Sequence, residues 1–418
     1  MRSARGVVGL LVVMLVLVSA LPGLAAAKTV VRYSTWLTHE EEVVEKEIIA
    51  EFNRLHPDIE VQLETSAWGD YTSKLITQLS AGTAPDVLNV SELPEWAGYG
   101  VLEVLDPYVA REPELLDGFF PKVVDAGRFD GVAVGKGPLY GLPINAGCQI
   151  LFYNKDMFDK YGIPYPDETW TFDTLVEVGA KFVEDRDGDG IIDQFGLICP
   201  TVWGDQFVDL IMRGYGSTLW SEDRKSCLIG TKAGLDAVQW IADLSNKHHI
   251  MPTFAERTAT NEQFEMGNLA MCFHHTYSNS IFHKRASFNW SIAPVPSGPV
   301  AKQGVPVWGH IVAINVSSKV KDAAWELLKY LASEDVQRKR YQELRTPPSR
   351  PAAGDDSDFF RVMTECINSG YIYGGFPQAQ EAWNVIHSYF DKVVLANKPA
   401  SEVFTSRVIT QIDKALSR

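Results

Sequence analysis

The chain has 418 residues, 46% hydrophobic and 22% charged, with a net charge of −15. That length is too great for one small core and suits two domains of roughly 150–200 residues, and the acidic balance makes nucleic acid and anionic lipid poor partners. The five cysteines, Cys148, Cys199, Cys227, Cys272 and Cys366, contain no C-x-x-C spacing, which excludes a zinc ribbon or thioredoxin motif; they read as small buried apolar residues, with any pairing open.

The first stretch differs from the rest. A basic start, MRSAR, precedes an apolar run over residues 7–20 and a small-residue segment ending at Ala27. This is the three-part pattern of a secretory signal peptide covering residues 1–27, and its apolar run is shorter than the ~20 residues a spanning helix needs. No cysteine lies near the cleavage point, so no lipid anchor is expected, and no other segment is apolar and long enough to span a membrane. The expectation is an exported protein, periplasmic or extracellular, with no stable membrane anchor. Losing Arg2 and Arg5 with the leader takes the net charge from −15 to −17.

After the leader, KTVVRYSTW reads as a strand. In THEEEVVEKEIIAEFNRLHP, Thr38 and Glu41 form a capping box, Val44, Ile48, Phe52 and Leu55 share a helical face, and Pro57 ends the helix. Ile59, Val61 and Leu63 alternate with polar residues in a half-buried strand. DYTSKLITQLSAG predicts a second helix stopped by Gly82, and DVLNV a third strand. The order βαβαβ implies a parallel sheet with helical crossovers, whose ligands bind beyond the carboxyl ends of the strands. Those ends carry Trp36 with Thr38, Trp68 with Asp70, and Ser91 with Glu92. Ring faces can stack on the C–H faces of a sugar and carboxylates can accept its hydroxyls; the alternative is that Trp36 and Trp68 merely cap the core edge.

Further on, GVAVGKG (131–137) superficially suggests a phosphate loop, but Pro138 stands where a helix should start, and a hairpin turn is the better reading. NAGCQILFYNKDMF reads as strand into helix, TFDTLVEVGAKFVED as helix, QFGLIC as strand, AGLDAVQWIADLSNKH as helix, and NLAMCFHH and WSIAPVP as short strands. VKDAAWELLKYLASEDVQRKRYQEL predicts one long helix, TPPSRPAAGDDSD a Pro- and Gly-rich crossing, and the last stretch two closing helices. No internal repeat or low-complexity segment is present.

Catalytic signatures are mostly missing: there is no H-E-x-x-H and no G-x-S-x-G. A glycosidase carboxylate pair could be hidden among 53 acidic residues. His248–His249 and His274–His275 are adjacent pairs whose side chains point apart, which suits hydrogen bonding better than shared metal ligation. Aromatic residues are the positive signal. Trp203, Tyr277 and Trp308 sit in loops among Gly, Ser and His, whereas Trp240 and Trp325 fall on helix patterns and read as core, and Trp170 as packing at a helix start.

Several stretches together resemble the extracellular solute-binding proteins of ABC sugar importers, the group that includes the maltose-binding proteins. They are SAGTAPDV (80–87), YGLPINAGCQILFYNKDMFDKYGIPYPDETWTFDTL (140–175), FEMGNLAM (264–271) and VAINVSSKVKDAAWELLKYLASEDVQ (312–337), in the family's order and covering nearly the whole mature chain. The resemblance implies two α/β lobes, each a mostly parallel sheet flanked by helices, with a ligand cleft between them. It divides the chain into 28–146 and 311–348 for the first lobe and 147–310 and 349–418 for the second. It implies a mono- or oligosaccharide ligand, an ABC transporter's membrane subunits as partner, and a monomer. Glu92 resembles the family's polar contact from the first lobe. Tyr277 falls where maltose-binding proteins place a stacking Trp, and FPQAQEAW (376–383) puts Trp383 in the cleft. Trp308 and His310, at the second crossing, lie where relatives often touch ligand.

In EDRDGDGIIDQFG, Asp185, Asp187, Asp189, Gly190 and Asp193 occupy positions 1, 3, 5, 6 and 9 of a calcium loop, with the Ile191 carbonyl at 7. Position 12 is Gly196 rather than Glu, and a strand follows instead of a second helix, so a calcium sensor is excluded. Because similar DxDGDG loops occur in the resembled family, a structural Ca²⁺ is expected here; a metal-free acidic turn is the alternative. For the whole chain the rivals to a sugar receptor are a secreted carbohydrate-active hydrolase or lyase, and a receptor for a polyol, a glycerol phosphate or a metal.

Overall fold

A computed structural model describes residues 27–90, 93–199, 204–253, 256, 264–373 and 375–417. Its strands are β1 (Thr29–Trp36), β2 (Ile59–Ser66), β3 (Val87–Val90), β4 (Arg128–Phe129), β5 (Val134–Leu139), β6 (Gly141–Pro143), β7 (Gly147–Asn154), β8 (Phe195–Ile198), β9 (Leu269–His275), β10 (Trp290–Ala293), β11 (Pro306–Trp308), β12 (Ile311–Ile314) and β13 (Tyr371–Ile372). One sheet has the order β2-β1-β3-β12-β6, the other β13-β11-β7-β9-β8 with β10 also on β7, while β4 and β5 form a separate hairpin. Asp130 caps that hairpin's turn by accepting from the Val132 and Ala133 backbones at 2.8 Å.

Each sheet contains one reversed strand. In the first, β12 runs against β3 and β6 while β1, β2 and β3 are parallel. In the second, β7 runs against β9, β10 and β11, and the remaining pairs are parallel. The reversed strands are the ones that begin just after the chain changes sheet. β6 ends at Pro143 in the first sheet and β7 starts at Gly147 in the second; β11 ends at Trp308 in the second and β12 starts at Ile311 in the first. The βαβ crossovers set the parallel majority, and the short crossings set the two exceptions.

All eight positions of β7 are buried, as a strand covered on both faces by helices must be. Helices cover both sheets. In the first lobe the helix His39–Leu55 has the expected capping box and buries Val44, Ile48, Ile49 and Phe52. Its Glu45 is also buried and accepts from Arg340 Nη2 at 2.9 and 3.0 Å and from Nε at 3.2 Å. That pair ties the first helix to the helix Glu334–Leu344 of the returning segment. The one long helix expected over the latter region is two, Lys321–Leu331 and Glu334–Leu344. Ser333 takes an extended conformation between them, and its side chain caps Val336 N–H. An N-cap serine followed by Glu334 and Asp335 favours starting a new helix over continuing the old one.

All five cysteines are buried and none is bridged. Trp170, Trp240 and Trp325 are core residues, as their patterns implied. Among the described residues no helix is long and apolar enough to cross a membrane; residues 1–26 of the expected leader lie outside them.

Candidate functional site

The carboxyl ends of β1, β9 and β11 meet around the crossing 308–310. On the first-lobe side, the Trp36 ring stands edge-on to Trp68, Tyr71 and His310, with centroids 4.8, 5.0 and 5.1 Å apart. Trp68 opens the helix Trp68–Ser80 and is 57% exposed, so one large ring stays free while its neighbours are packed. On the second-lobe side, His275 lies 4.7 Å from Trp308 and 5.6 Å from Tyr277, and Tyr277 is 51% exposed. The expected Trp36, Trp68, Tyr277, Trp308 and His310 therefore form two groups of rings joined through one crossing. Exposed ring faces at Trp68 and Tyr277 can cover apolar C–H surface of a ligand.

Glycine permits this crossing. A Cβ at Gly147 would stand 2.4 Å from Trp308 Nε1, and one at Gly309 would stand 2.9 Å from the Asn145 carbonyl. The Trp308 ring thus rests on bare backbone of the facing strand, where Val307 and Trp308 pair with Cys148 and Gly147.

Hydrogen bonds fix two imidazole tautomers. Asn145 Oδ1 accepts from the His310 backbone N–H at 2.9 Å, so the Asn145 amide nitrogen, 3.1 Å from His310 Nδ1, donates to it. The His310 ring proton therefore sits on Nε2. His274 Nδ1 accepts from the His275 backbone N–H at 2.8 Å and lies 2.6 Å from Ser278 Oγ, which leaves its proton on Nε2 as well. Burial lowers the His274 and His310 pKa values to about 4, and burial together with neighbouring His274 and His310 lowers His275 to about 3. All three rings are neutral at pH 7. His275 Nε2 is buried without a hydrogen-bond partner among the described residues.

Thr38 is exposed, and its side chain caps the first helix by accepting from Glu41 N–H at 3.3 Å. Asp70 is exposed in the first turn of the helix that Trp68 opens. Ser91, Glu92 and Trp203 lie outside the described residues. Trp383, expected in the cleft, is only 8% exposed. Its helix, Ala379–Val394, turns position 383 to the same buried face as Ala379, Ala382, Ile386 and Phe390, the i, i+3, i+4 pattern of a core stripe. The structure also brings in residues that the sequence reading did not single out. Tyr71 bonds the Asn89 carbonyl at 2.8 Å, and buried Asn89 donates to Thr35 Oγ1 at 2.9 Å while its own Oδ1 has no partner among the described residues. Asn145 completes the set, together with His275, which the sequence reading gave a hydrogen-bonding role but no place in the cleft. The HH pair ending an apolar strand was the visible signal for His275; nothing marked Asn145 or Asn89.

Away from this region, an open surface depression of about 450 Å³ is lined by Arg213, Gly216, Ser217, Thr218, Leu228, Gln303 and Gly304. It contains no aromatic ring and belongs to the second lobe alone.

The acidic loop folds on its own backbone. Asp185 accepts from Gly188 and Gly190 N–H at 2.8 Å, Asp187 from Asp189 N–H at 3.1 Å, Asp189 from Ile191 N–H at 2.7 Å, and Asp193 from Arg186 N–H at 2.7 Å. Carboxylate oxygens of Asp185, Asp187 and Asp193 lie within 4.8 Å of one another; Asp189 is outside that closest set. Gly196 cannot be the bidentate Glu of a calcium loop, because a Cβ there would stand 2.1 Å from the Gly179 carbonyl.

Residues 38–338 match the family model described as bacterial extracellular solute-binding protein, most of the chain. The chain belongs to that family. Among curated relatives of this solute-binding protein, a binding protein of Brucella abortus is 28% identical over 319 residues, 74% of this chain and 72% of the relative. The galactooligosaccharide-binding protein of Bacillus subtilis is 24% identical over 377 residues, 86% of this chain and 83% of the relative. Among solved structures, an ABC substrate-binding protein from Listeria monocytogenes in complex with cycloalternan superposes with a TM-score of 0.79 at 20% identity, covering 93% of this chain and 99% of that one. The two-lobed fold of this solute-binding protein is the fold of that structure.

Proposed function

We propose that this protein is an exported receptor that captures a sugar between its two lobes and delivers it to the membrane subunits of an ABC transporter, leaving the sugar chemically unchanged. The observation that carries the reading is the array of rings at the crossing, with open faces at Trp68 and Tyr277 and uncharged imidazoles between them. A pyranose offers what such an array takes, namely C–H faces for the rings and hydroxyls for the nitrogens. Relatives named for galactooligosaccharide binding and solved with cycloalternan support a carbohydrate as the ligand class. Addition of the right mono- or oligosaccharide should raise the melting temperature and change tryptophan fluorescence saturably, with the same sugar recovered intact. A broad sugar panel that moves neither signal would remove the sugar assignment, and hydrolysed or cleaved product would favour the enzyme.

We further propose that the chain acts as a monomer, that cleavage near Ala27 releases it, and that the loop 185–193 holds one Ca²⁺ through Asp185, Asp187 and Asp193. The donor set fits the ion: three carboxylates with oxygens within 4.8 Å of one another suit a hard cation. Asp189, which the loop's spacing also offers, stands outside that closest set, and the Ile191 carbonyl is a further oxygen of the same loop. A bound ion would stabilise the fold by about 2.7 kcal/mol at a hundredfold excess over its dissociation constant. Chelator should lower the melting temperature, calcium and not sodium should restore it, and Asp185→Ala with Asp187→Ala should abolish the response. A melting temperature indifferent to chelator and to added calcium leaves only the metal-free turn.

A further inference from the structure

We infer that His275 and His310 are specificity-determining ligand contacts, whose uncharged imidazoles hydrogen-bond an uncharged polyhydroxy ligand held between the lobes. The inference rests on the sugar reading above and deepens it. Four features of the site carry it.

First, His275 Nε2 is buried and has no partner among the described residues, a state that native structures rarely leave without an occupant to meet it. Second, that ring is placed where a ligand would lie, 4.7 Å from Trp308 and 5.6 Å from half-exposed Tyr277. Third, Asn145 occupies both the His310 backbone N–H and Nδ1. The tautomer is therefore fixed and Nε2–H is the donor left for a ligand, in a ring 5.1 Å from Trp36. Fourth, among the described residues the groups that act electrostatically on His275 are His274 and His310, two more neutral bases, with no carboxylate beside them to favour the imidazolium.

Together these give one fixed donor on the first-lobe side and one uncommitted ring nitrogen on the second-lobe side. A hydroxyl both donates and accepts, so vicinal hydroxyls satisfy both nitrogens without bringing a charge. A phosphate or carboxylate would meet no permanent cation among these residues, and its desolvation would go uncompensated. Because the two nitrogens come from opposite sides of the crossing, a ligand touching both also favours the closed arrangement of the lobes.

The test uses the full mature chain and a sugar that binds the wild type. By calorimetric titration, His275→Phe should weaken binding about tenfold or more, because the ring is kept and the hydrogen bond is lost. His275→Gln, whose amide nitrogen reaches the place of Nε2, should recover most of that loss. On wild type with ¹⁵N-labelled histidine, NMR at pH 7 should show His310 protonated at Nε2 and bare at Nδ1. Saturating sugar should shift the ring nitrogens of His275 and His310 and leave those of His248 and His249 in place. His275→Phe binding as tightly as wild type, or His275 ring nitrogens that sugar does not move, would overturn the inference while leaving the receptor reading intact. The NMR result decides the matter if the variant does not fold. Failure of every sugar to bind wild type would overturn both.

Discussion

Two aromatic residues that look alike in sequence behave differently in the fold. Tyr277 and Trp383 both match stacking positions by resemblance, yet Tyr277 is half exposed and Trp383 is in the core. Tyr277→Ala should therefore fold with an unchanged melting temperature and lose roughly 1–3 kcal/mol of ligand affinity. Trp383→Ala should cost about 3–5 kcal/mol of stability through the cavity it leaves, which a denaturant titration would measure. Equal stability of the two variants would contradict these placements. The resemblance located both positions, but the face that a helix turns inward depends on what packs against it, which a local pattern does not contain. The ring acceptors and donors were even less legible. His274 is kept neutral by burial, and its Nδ1 is used by the next residue's N–H.

That burial has a pH consequence. The folded-state pKa of His274, about 4, lies below the ordinary 6.5 of an exposed imidazole. Between those values the unfolded chain binds the proton and the folded chain does not. The contribution is thus complete above pH 6.5 and declines as pH falls towards 4, with no further loss from this group below that. His274→Asn, which keeps an acceptor near the place of Nδ1, should flatten the fall in the denaturation midpoint between pH 6.5 and 4.5. An unchanged pH profile in that variant would place the titration elsewhere.

At the scale of elements, the alternating strands, the capping box of the helix His39–Leu55 and the glycine stop at Gly82 are local patterns, and the structure has each of them. The break at Ser333 was written as Ser-Glu-Asp, an N-cap followed by acidic residues, but the apolar periodicity running across it hid the stop. The reversed strands β7 and β12 were not legible at all, because strand direction is set by where the chain crosses between sheets. The buried Glu45–Arg340 pair joins helices almost three hundred residues apart in the chain and is likewise invisible to local reading. Arg340→Met leaves the Glu45 carboxylate buried alone, so this variant should lose about 3–5 kcal/mol. The double variant Glu45→Leu with Arg340→Met should regain much of that loss. If the single variant is as stable as wild type, the pair does not hold the returning segment.

At the scale of the molecule, the lobes touch beyond the crossings as well. Lys284, from the helix Ser278–Arg285, pairs with Glu40 at the start of the first helix, and Lys122 donates to the Asn368 carbonyl. Asn279 Nδ2 donates to the Arg345 carbonyl at 3.0 Å. These contacts would break if the lobes swung apart, whereas each lobe's own core would be untouched. A ligand that holds the lobes together would act through these few polar contacts and the short crossings between Pro143 and Gly147 and between Trp308 and Ile311. The most direct test is hydrogen–deuterium exchange with and without a bound sugar. Protection should concentrate at residues 34–38, 67–71, 145–148, 274–278 and 306–311, which come from both lobes. Protection confined to the second-lobe depression around Arg213 and Gln303, with those five stretches unchanged, would contradict a ligand held between the lobes.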